Sequence, residues 1–299
     1  HGAYAMTIVV GYVPGEGGTA GIRLGAMLAE SLDTDLVIAT VAPTPWTNPS
    51  MARVDAEFVD WTDRFIDQAY SEVSAYMNSY PAALTWRFDR LDHRAAATAL
   101  AAHAAGIGAA AVVLSSTGDG QLGQIVVGST ADALLHRCEV AVGLSPRGYR
   151  SPRDGLLTRV TVAIAGDDPQ DRAVLARAHE LADTMTAPLR VVTFAVRGGA
   201  MYPPLVGLAG EDEVLDQWIA QSTRAHEALR ADGLVADDTI TDLAIGRGWR
   251  EAVDSIDWMG GEVLLLGSTR EGPLRRVFIG SRSTTLIRHS PVPVVVLPR

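Results

Sequence analysis

Glycine, serine and arginine residues near the C-terminus occur at a spacing that suits the binding of an anion. The stretch VLLLGSTREGPLRRVFIGS (residues 263–281) begins as an apolar run that ends at Gly267, and Gly280 and Ser281 precede a predicted helix. Glycines let a ligand approach the backbone, and the N–H groups of a helix N-terminus attract negative charge. Positive charge is supplied by Arg270, Arg275 and Arg276. The structural alternative is that the glycines form turns and that Ser281 is an ordinary N-cap.

The same pattern occurs once more, in the first half of the chain. LSSTGDGQLGQIVVGS (Leu114–Ser129) aligns without a gap with LGSTREGPLRRVFIGS (Leu266–Ser281), and the chain start from Met6 aligns with a segment from Arg159. Between the halves lies SPRGYRSPRDG, whose Pro, Gly and Arg content is typical of an exposed linker. We therefore predict a duplicated domain, with a first copy over residues 1–148, a linker at about residues 146–155 and a second copy over residues 156–299.

Short β-branched runs alternate with longer helical patterns in each half. Strands are expected at about 7–13, 35–41, 83–88, 110–115 and 140–144, and again at 159–165, 188–196, 236–243, 262–267 and 293–297. Near-continuous apolar strands indicate a parallel sheet that is covered on both faces. Each half is therefore predicted to be an α/β domain with a doubly wound, mainly parallel, five-stranded sheet and helices on both faces. Such sheets bind ligands at the carboxyl ends of their strands, where both glycine loops begin.

The composition argues against nucleic acid as a partner, against a disulfide-forming compartment and against a membrane span. The 299 residues carry a formal net charge of -10 with a pI of about 5.1, which argues against a nucleic-acid-binding protein. The single cysteine, Cys138, allows no intrachain disulfide, so we expect a cytoplasmic protein. The alanine-rich stretch Ala97–Leu114 is predicted to be a helix that ends near Gly106 and a strand from Ala110, and not a membrane span. The first residues lack the pattern of a secretory signal.

Motifs for catalysis and for metal binding are missing from the sequence. No Gly-Lys-Ser/Thr follows the glycines, and no GxGxxG follows the first strand of either half. None of the seven histidines pairs with His, Cys or a carboxylate at a metal-ligand spacing. No Ser-His-Asp arrangement and no nucleophile elbow can be assigned. We therefore predict no catalytic residue and no metal site.

Two such halves, each with a Gly-x2-Gly-x9-Gly-Ser-like loop after the fourth strand and an apolar last strand such as SPVPVVVL, resemble the universal stress protein family in its tandem form. The resemblance covers essentially the whole chain. It implies an adenine nucleotide alpha hydrolase-like fold, a motif loop that holds the phosphates of ATP, and a regulator or binding protein that is not an enzyme. It also implies an internal pseudo-dimer joined through the terminal strands, at about 140–144 and 293–297, with a homodimer as a further option.

The resemblance assigns nucleotide- or phosphate-binding roles to Gly118, Gly128, Ser129, Gly267, Ser268, Arg270, Gly280 and Ser281. Each half departs from the family pattern at one glycine, because Ser115 stands at the first glycine position and Arg270 at the second. The Asp that ends the first strand in the family, and contacts the adenine end of the nucleotide, is replaced by Val13 and Ala165. Arg270 either binds the anion through its guanidinium group or blocks it sterically, since its side chain stands where the family has a glycine.

These features predict a stress-associated regulatory protein that binds ATP or a related nucleotide or anion in at least one domain, without turnover. The second loop ranks first for an anionic ligand because of its arginines. One alternative is a degenerate, ligand-free interaction or structural module with an unknown protein partner. A weak ATP hydrolase is the second alternative.

Overall fold

The computed structural model describes residues 7–15, 18–44, 52–81, 83–118, 121–152, 155–196, 208–268 and 281–298. Within helices at the start of three of these ranges, side chains are described only from residues 57, 215 and 284 onward. The chain divides between Leu156 and Leu157 into two compact units, called here the first and the second domain.

The first domain alternates strands and helices throughout. Its elements are β1 (Thr7–Gly11), α1 (Thr19–Ser31), β2 (Leu36–Ala42), α2 (Ala52–Asn78), β3 (Trp86–Asp92), α3 (Ala96–Gly106), β4 (Ala109–Ser115), α4 (Ser129–Arg137) and β5 (Ala141–Ser145). The strands lie in the order β3-β2-β1-β4-β5, and every neighbouring pair is parallel. The strand order therefore reverses between β1 and β4.

The second domain repeats this arrangement. Its elements are β6 (Arg159–Ala163), α5 (Pro169–Thr184), β7 (Leu189–Val196), α6 (Leu208–Ala231), β8 (Ile240–Gly246), α7 (Trp249–Asp254), β9 (Glu262–Gly267), α8 (Ser281–His289) and β10 (Val294–Leu297). The order is β10-β9-β6-β7-β8, again parallel throughout. The predicted fold class, two repeated α/β domains with doubly wound five-stranded sheets, is confirmed.

Apolar side chains fill the space between sheet and helices because parallel strands are covered on both faces. The first four residues of β1 and the first five of β2 are all buried, and so are the first five of β9. The alanine-rich stretch divides as predicted, into α3 and β4. Within the described ranges, no helix is both long and apolar enough to cross a membrane.

The third strand of each domain begins three to four residues later than the sequence predicts. The predicted strands 83–88 and 236–243 correspond to β3, at Trp86–Asp92, and β8, at Ile240–Gly246. Both are outermost strands that pair with only one neighbour within their own domain. WRFDRLD is rich in charged residues and ITDLAIG is mainly apolar, but most residues of both strands are partly or fully exposed, because an outer strand lacks cover along one side. An apolar run therefore gives a poor estimate of where these strands start.

Three buried charges lie at the amino ends of the strands in the second domain, and we call Arg159, Arg190 and Glu262 the charge cluster. Glu262 is 0% exposed, and its Oε1 accepts a hydrogen bond from Nη2 of Arg190 at 2.7 Å. Its Oε2 accepts from Nη2 of Arg159 at 2.7 Å and from the Met259 amide at 2.8 Å. The Thr161 hydroxyl also donates to this carboxylate. Both oxygens of Glu262 are thus hydrogen-bonded, as the burial of a polar group requires.

Arg190 connects the charge cluster to its surroundings. Its Nε donates to the Thr161 hydroxyl at 3.0 Å, and its Nη1 donates to the Asp257 carbonyl at 2.8 Å. Its guanidinium carbon lies 4.8 Å from the ring centre of Trp258. Burial lowers the pKa of Arg190, and the Glu262 carboxylate opposes that shift. The first two residues of β1, β2 and β4 in the first domain are uncharged, so the two domains differ here.

Because His226 is buried, we predict that the second domain loses stability as the pH falls. Its Nε2 lies 2.9 Å from the Thr193 hydroxyl, the residue is 6% exposed, and burial lowers its pKa. The stability that follows from a lowered pKa is fully present above the unfolded value of about 6.5, and is lost as the pH falls through the folded value. We expect His226→Gln to reduce the pH dependence of the free energy of unfolding below pH 6.5, measured by urea titration, by at most about 1.4 kcal/mol per pH unit.

The exposed His179 supplies the control for this measurement, because its side chain is 46% exposed. His179→Gln should retain the acid dependence of the parent protein. Burial also lowers the pKa of His289, so part of the dependence should remain in the His226 variant. Equal acid dependence in the parent and His226→Gln would contradict the assignment.

Candidate functional site

The reversal of strand order in the first domain brings two helix N-termini to the ends of β1 and β4. Helix α1 follows β1 through residues 12–18, and α4 follows β4 through residues 116–128. A crevice at such a reversal is where doubly wound sheets bind ligands. The residues between these elements form the candidate site.

Ser115, which stands where the family has its first glycine, contacts the start of α1. Its hydroxyl accepts a hydrogen bond from the Gly21 amide at 2.9 Å and donates to the Gly18 carbonyl at 3.0 Å. A Cβ on Gly21 would lie 2.7 Å from this hydroxyl, so the helix approaches the strand closely. Ser115 therefore satisfies one free N–H group of α1 and joins the two elements.

The loop after β4 returns on itself before α4 begins. The Val126 amide donates to the Ser116 hydroxyl at 2.8 Å, and the Thr117 amide donates to the Val126 carbonyl at 3.3 Å. Gly128 is the N-cap of α4, and a Cβ there would lie 2.6 Å from Cγ2 of Thr117. The predicted residues Gly128 and Ser129 thus lie at the start of α4, beside the end of β4.

The N-terminus of α4 and the nearby Gly118 remain open. No side chain of a described residue caps α4. A Cβ on Gly118 would meet no atom of the described chain within 4 Å, and the φ angle of Gly118 is not in the left-handed region. Neither packing nor backbone conformation therefore requires glycine at position 118. Open space at this residue suits the close approach of a ligand.

Glu72 of α2 fixes the loop that follows β1. Its Oε2 accepts hydrogen bonds from the Tyr12 hydroxyl at 2.6 Å and from the Gly15 amide at 3.2 Å. Burial, together with this carboxylate, raises the pKa of Tyr12, and the hydrogen bond from Tyr12 lowers the pKa of Glu72. Val13 lies in the same loop and is 47% exposed. The position that holds an Asp in the family therefore presents an apolar side chain to solvent.

In the second domain the glycine at the end of the fourth strand is explained by packing. A Cβ on Gly267 would lie 2.3 Å from Cγ2 of Val174 in α5. In the first domain the small residue is on the helix, at Gly21, and the larger one is on the strand, at Ser115. At this close contact between helix and strand, the glycine therefore belongs to the helix in the first domain and to the strand in the second. The neighbouring Ser268 accepts a hydrogen bond at its carbonyl from Nε2 of Gln170, at 3.1 Å.

Two carboxylates occupy the backbone N–H groups at the start of α5. Asp168 is the N-cap, and its Oδ1 accepts from the amides of Gln170 and Asp171 at 2.8 Å each. Oδ2 of Asp171 accepts from the Gly166 amide at 2.6 Å and from the Ala165 amide at 3.1 Å. Burial raises the pKa of Asp171, which the two amides partly offset. The sequence offers no sign of this second carboxylate contact.

The remaining predicted site residues lie outside the described residues. They are Arg270 and Gly280, together with the side chain of Ser281, whose backbone is the first residue of α8. Arg275 and Arg276 also lie outside. Among the described residues, no group of three or more His, Cys, Asp or Glu side chains is arranged to hold a metal ion.

Two doubly wound α/β domains in tandem define the class of protein to which the chain belongs. Residues 5–144 and 157–298 each match the universal stress protein family. The chain therefore belongs to the universal stress protein family, as predicted. Members of this family are associated with stress and are generally not enzymes.

Relatives over the whole length support this assignment. The chain is 39% identical over 293 residues to a universal stress protein of Mycobacterium bovis and to one of Mycobacterium tuberculosis, covering 98% of this chain and 100% of each relative. It is also similar in structure to a universal stress protein of Archaeoglobus fulgidus, with a TM-score of 0.61, 15% identity, and coverage of 99% of this chain and 97% of that one. The latter similarity concerns the fold.

Proposed function

We propose that the protein is a cytoplasmic regulatory protein that binds ATP, or a related phosphorylated ligand, in its first domain and does not turn it over. The open start of α4 supports this proposal most directly. Its N-cap, Gly128, carries no side chain, and no described side chain accepts from the amides that follow. A helix N-terminus of this kind attracts phosphate through its N–H groups and its dipole.

Gly118 and the start of α1 favour the same position. A Cβ on Gly118 would meet no atom of the described residues within 4 Å, which suits the close approach of a ligand. Helix α1 has no acidic residue in its first turn and begins beside Ser115. The sequence ranks the second loop first because of its arginines, which lie outside the described residues. The geometry of the described residues favours the first domain.

Val13 indicates which part of a nucleotide would dominate binding. An exposed valine offers no hydrogen bond to the adenine end, in contrast to the Asp of the family pattern. The affinity should therefore depend mainly on the phosphates. Inorganic triphosphate should therefore compete with ATP at least as well as ADP does. A ligand-free interaction module is the second candidate, because Val13 and Ala165 both lack the carboxylate.

Thermal unfolding with and without ATP tests the proposal. Saturating ATP should raise the melting temperature of the full chain, because a ligand that binds only the folded state stabilises it. Ser129→Asp places a negative charge at the first residue of α4, so the ATP-induced shift should be lost. The melting temperature without ATP should not fall, because an acidic residue suits a helix N-terminus.

Ser129→Asn is the matched control, since it is similar in size to Asp but uncharged, and it should retain the shift. Mass spectrometry and the ultraviolet absorbance ratio of gently purified protein report a co-purified nucleotide. A chain that carries no nucleotide and shows no melting shift with ATP or triphosphate would contradict the proposal and favour the ligand-free module.

A further inference from the structure

We infer that the protein forms a two-fold homodimer, in which β3 pairs antiparallel with β3 of a second copy of the chain and Phe88 lies on the symmetry axis. The inference concerns an interaction surface and does not depend on the proposed function. It rests on the outer edge of β3, on the charges along this strand, and on the register in which those charges complement each other.

The outer edge of β3 carries backbone groups that its own domain leaves unpaired. The Thr85 carbonyl accepts a hydrogen bond from the Leu36 amide at 3.0 Å, and the His93 amide donates to the Ala42 carbonyl at 3.0 Å. Because every second residue of a parallel strand bonds to a given neighbour, the odd-numbered residues bond to β2 and the even-numbered ones point outward. The outward set is Trp86, Phe88, Arg90 and Asp92. None of the described residues bonds to the backbone of this set, so the edge can accept another strand.

The side chains of β3 leave this edge accessible on both faces of the sheet. Phe88 faces α2, where its ring centre lies 5.5 Å from that of Tyr70, and Tyr70 is 53% exposed. Asp89 points to the other face, where it lies 3.0 Å from Nε2 of His103 in α3. The Arg87 side chain on that face is 51% exposed. A second strand would therefore cover aromatic surface on one face and meet charges on the other.

A register centred on Phe88 makes these charges complementary. Strands related by a two-fold axis pair antiparallel, and their outward-facing residues lie opposite one another. Arg87 of each chain then lies opposite Asp89 of the other, and Trp86 lies opposite Arg90. Within one strand, Nε of Arg87 already donates to Asp89 at 3.1 Å, so the four charges of the dimer alternate in sign. Opposite charges across a strand pair and a guanidinium beside an indole ring are both stabilising.

Other registers are unfavourable for the same strand. An axis at Asp89 would place two carboxylates opposite each other, and an axis at Arg87 or Arg90 would do so with two guanidinium groups. An axis at Trp86 or Leu91 avoids this conflict but leaves most of β3 unpaired. The charges thus select one partner strand and one register, and they oppose pairing with unrelated strands.

Size-exclusion chromatography with light scattering tests the inference. At about pH 8, where histidine is neutral, and about 100 μM chain, the parent should have twice the chain mass of 31.7 kDa. Arg87→Asp sets carboxylates opposite each other, and Asp89→Arg sets guanidinium groups opposite each other. Each variant alone should dimerise at least about tenfold more weakly, because both symmetric pairs become repulsive. An equimolar mixture of the two variants restores opposite charges at both positions and should form the dimer again.

Arg224→Asp supplies the control, because it makes the same change of charge on the exposed surface of α6 and should leave the dimer intact. Circular dichroism melts establish that each variant is folded. If Asp89→Arg does not fold, Phe88→Cys in a Cys138→Ser background replaces it. Cysteines on the axis would have Cα atoms about 5.5 Å apart, which a disulfide can span. A mild oxidant should then link two chains, whereas Arg224→Cys in the same background should stay unlinked.

The possible results separate this contact from others. Two monomeric variants whose mixture is dimeric support the inference, because mixing cannot repair a folding defect in either chain. A monomeric parent overturns it, and so does a mixture of folded variants that stays monomeric. A dimer that neither Arg87→Asp nor Asp89→Arg weakens would lie elsewhere, for example at β8, and also overturns it. The same holds for an assembly of more than two chains, and for a folded Phe88→Cys variant that does not cross-link.

Discussion

Glu262→Gln is expected to lower the free energy of unfolding of the second domain by about 3–5 kcal/mol, the usual cost of breaking a buried ion pair from one side. The carboxylate is 0% exposed and balances both arginines of the charge cluster. Glutamine retains the size of the side chain but not its charge. Arg159 would then lose its buried counter-charge, and Arg190 would keep Asp242, whose Oδ2 lies 3.3 Å from its Nη1. Urea unfolding followed by circular dichroism measures the loss.

Asp92→Asn provides the control, because Asp92 pairs with Arg90 at 2.9 Å on the surface and its side chain is 54% exposed. Its loss should cost about 1 kcal/mol or less. Replacing both Glu262 and Arg190 by methionine should cost less than the sum of the two single replacements, since a buried pair can be exchanged for apolar groups more cheaply than it can be halved. A loss below 1 kcal/mol for Glu262→Gln would show that the charge cluster is reached by solvent.

Gly267→Ala is expected to destabilise the second domain by about 1–3 kcal/mol, the usual cost of excess volume in a close-packed contact. The new methyl group would lie 2.3 Å from Cγ2 of Val174, a branched side chain with few alternative rotamers. If the clash is the cause, Val174→Ala should relieve it, and the double variant should be more stable than the sum of the single changes predicts. Unfolding midpoints of the three variants give the coupling energy.

Gly260→Ala is the matched control for this cycle, because a Cβ there would meet nothing within 4 Å and its φ angle is not left-handed. It should change the stability by less than about 0.5 kcal/mol. A folded Gly267→Ala with parental stability and no coupling to Val174 would mean that the helix can move away. Glycine at position 267 would then need an explanation other than packing.

Much of the fold could be predicted from the sequence because apolar periodicity and internal repetition report it directly. Strands such as β4 and β9 are apolar on both faces and lie within one or two residues of their predicted bounds. The outer strands β3 and β8 could not be placed as well. Their limits depend on pairing with one neighbour, and their partly exposed residues do not form the continuous apolar run that marks a buried strand.

The charge cluster was missed for a related reason. Glu262 directly precedes the apolar run VLLL, and Arg159 and Arg190 stand at or next to the start of their strands. From the sequence alone, each of these three charged residues would be interpreted as a solvent-exposed residue at the end of a strand. Only the parallel register, which sets Arg159 beside Glu262, brings the charges together. A charge at the start of several buried strands was the available signal.

The candidate site was predictable at the level of loops and not of contacts. Gly128 and Ser129 lie at a helix start, as the repeated loop indicates. Ser115 and Asp171 were beyond reach, since their partners, Gly21 and Gly166, depend on how a helix approaches a strand and how a loop turns. Whether Arg270 grips an anion or excludes it stays a prediction, as do the domain bounds, the pairing of the halves through their terminal strands and the cytoplasmic location.

The reversed contact between helix and strand also limits how parts of the two domains can be interchanged. A chimaera with α1 of the first domain against β9 of the second would set Gly21 opposite Gly267 and leave a void. The reciprocal chimaera would set Val174 opposite Ser115 and force the elements apart. Recombination between the halves can therefore preserve this helix–strand contact only when the helix and the strand are transferred together.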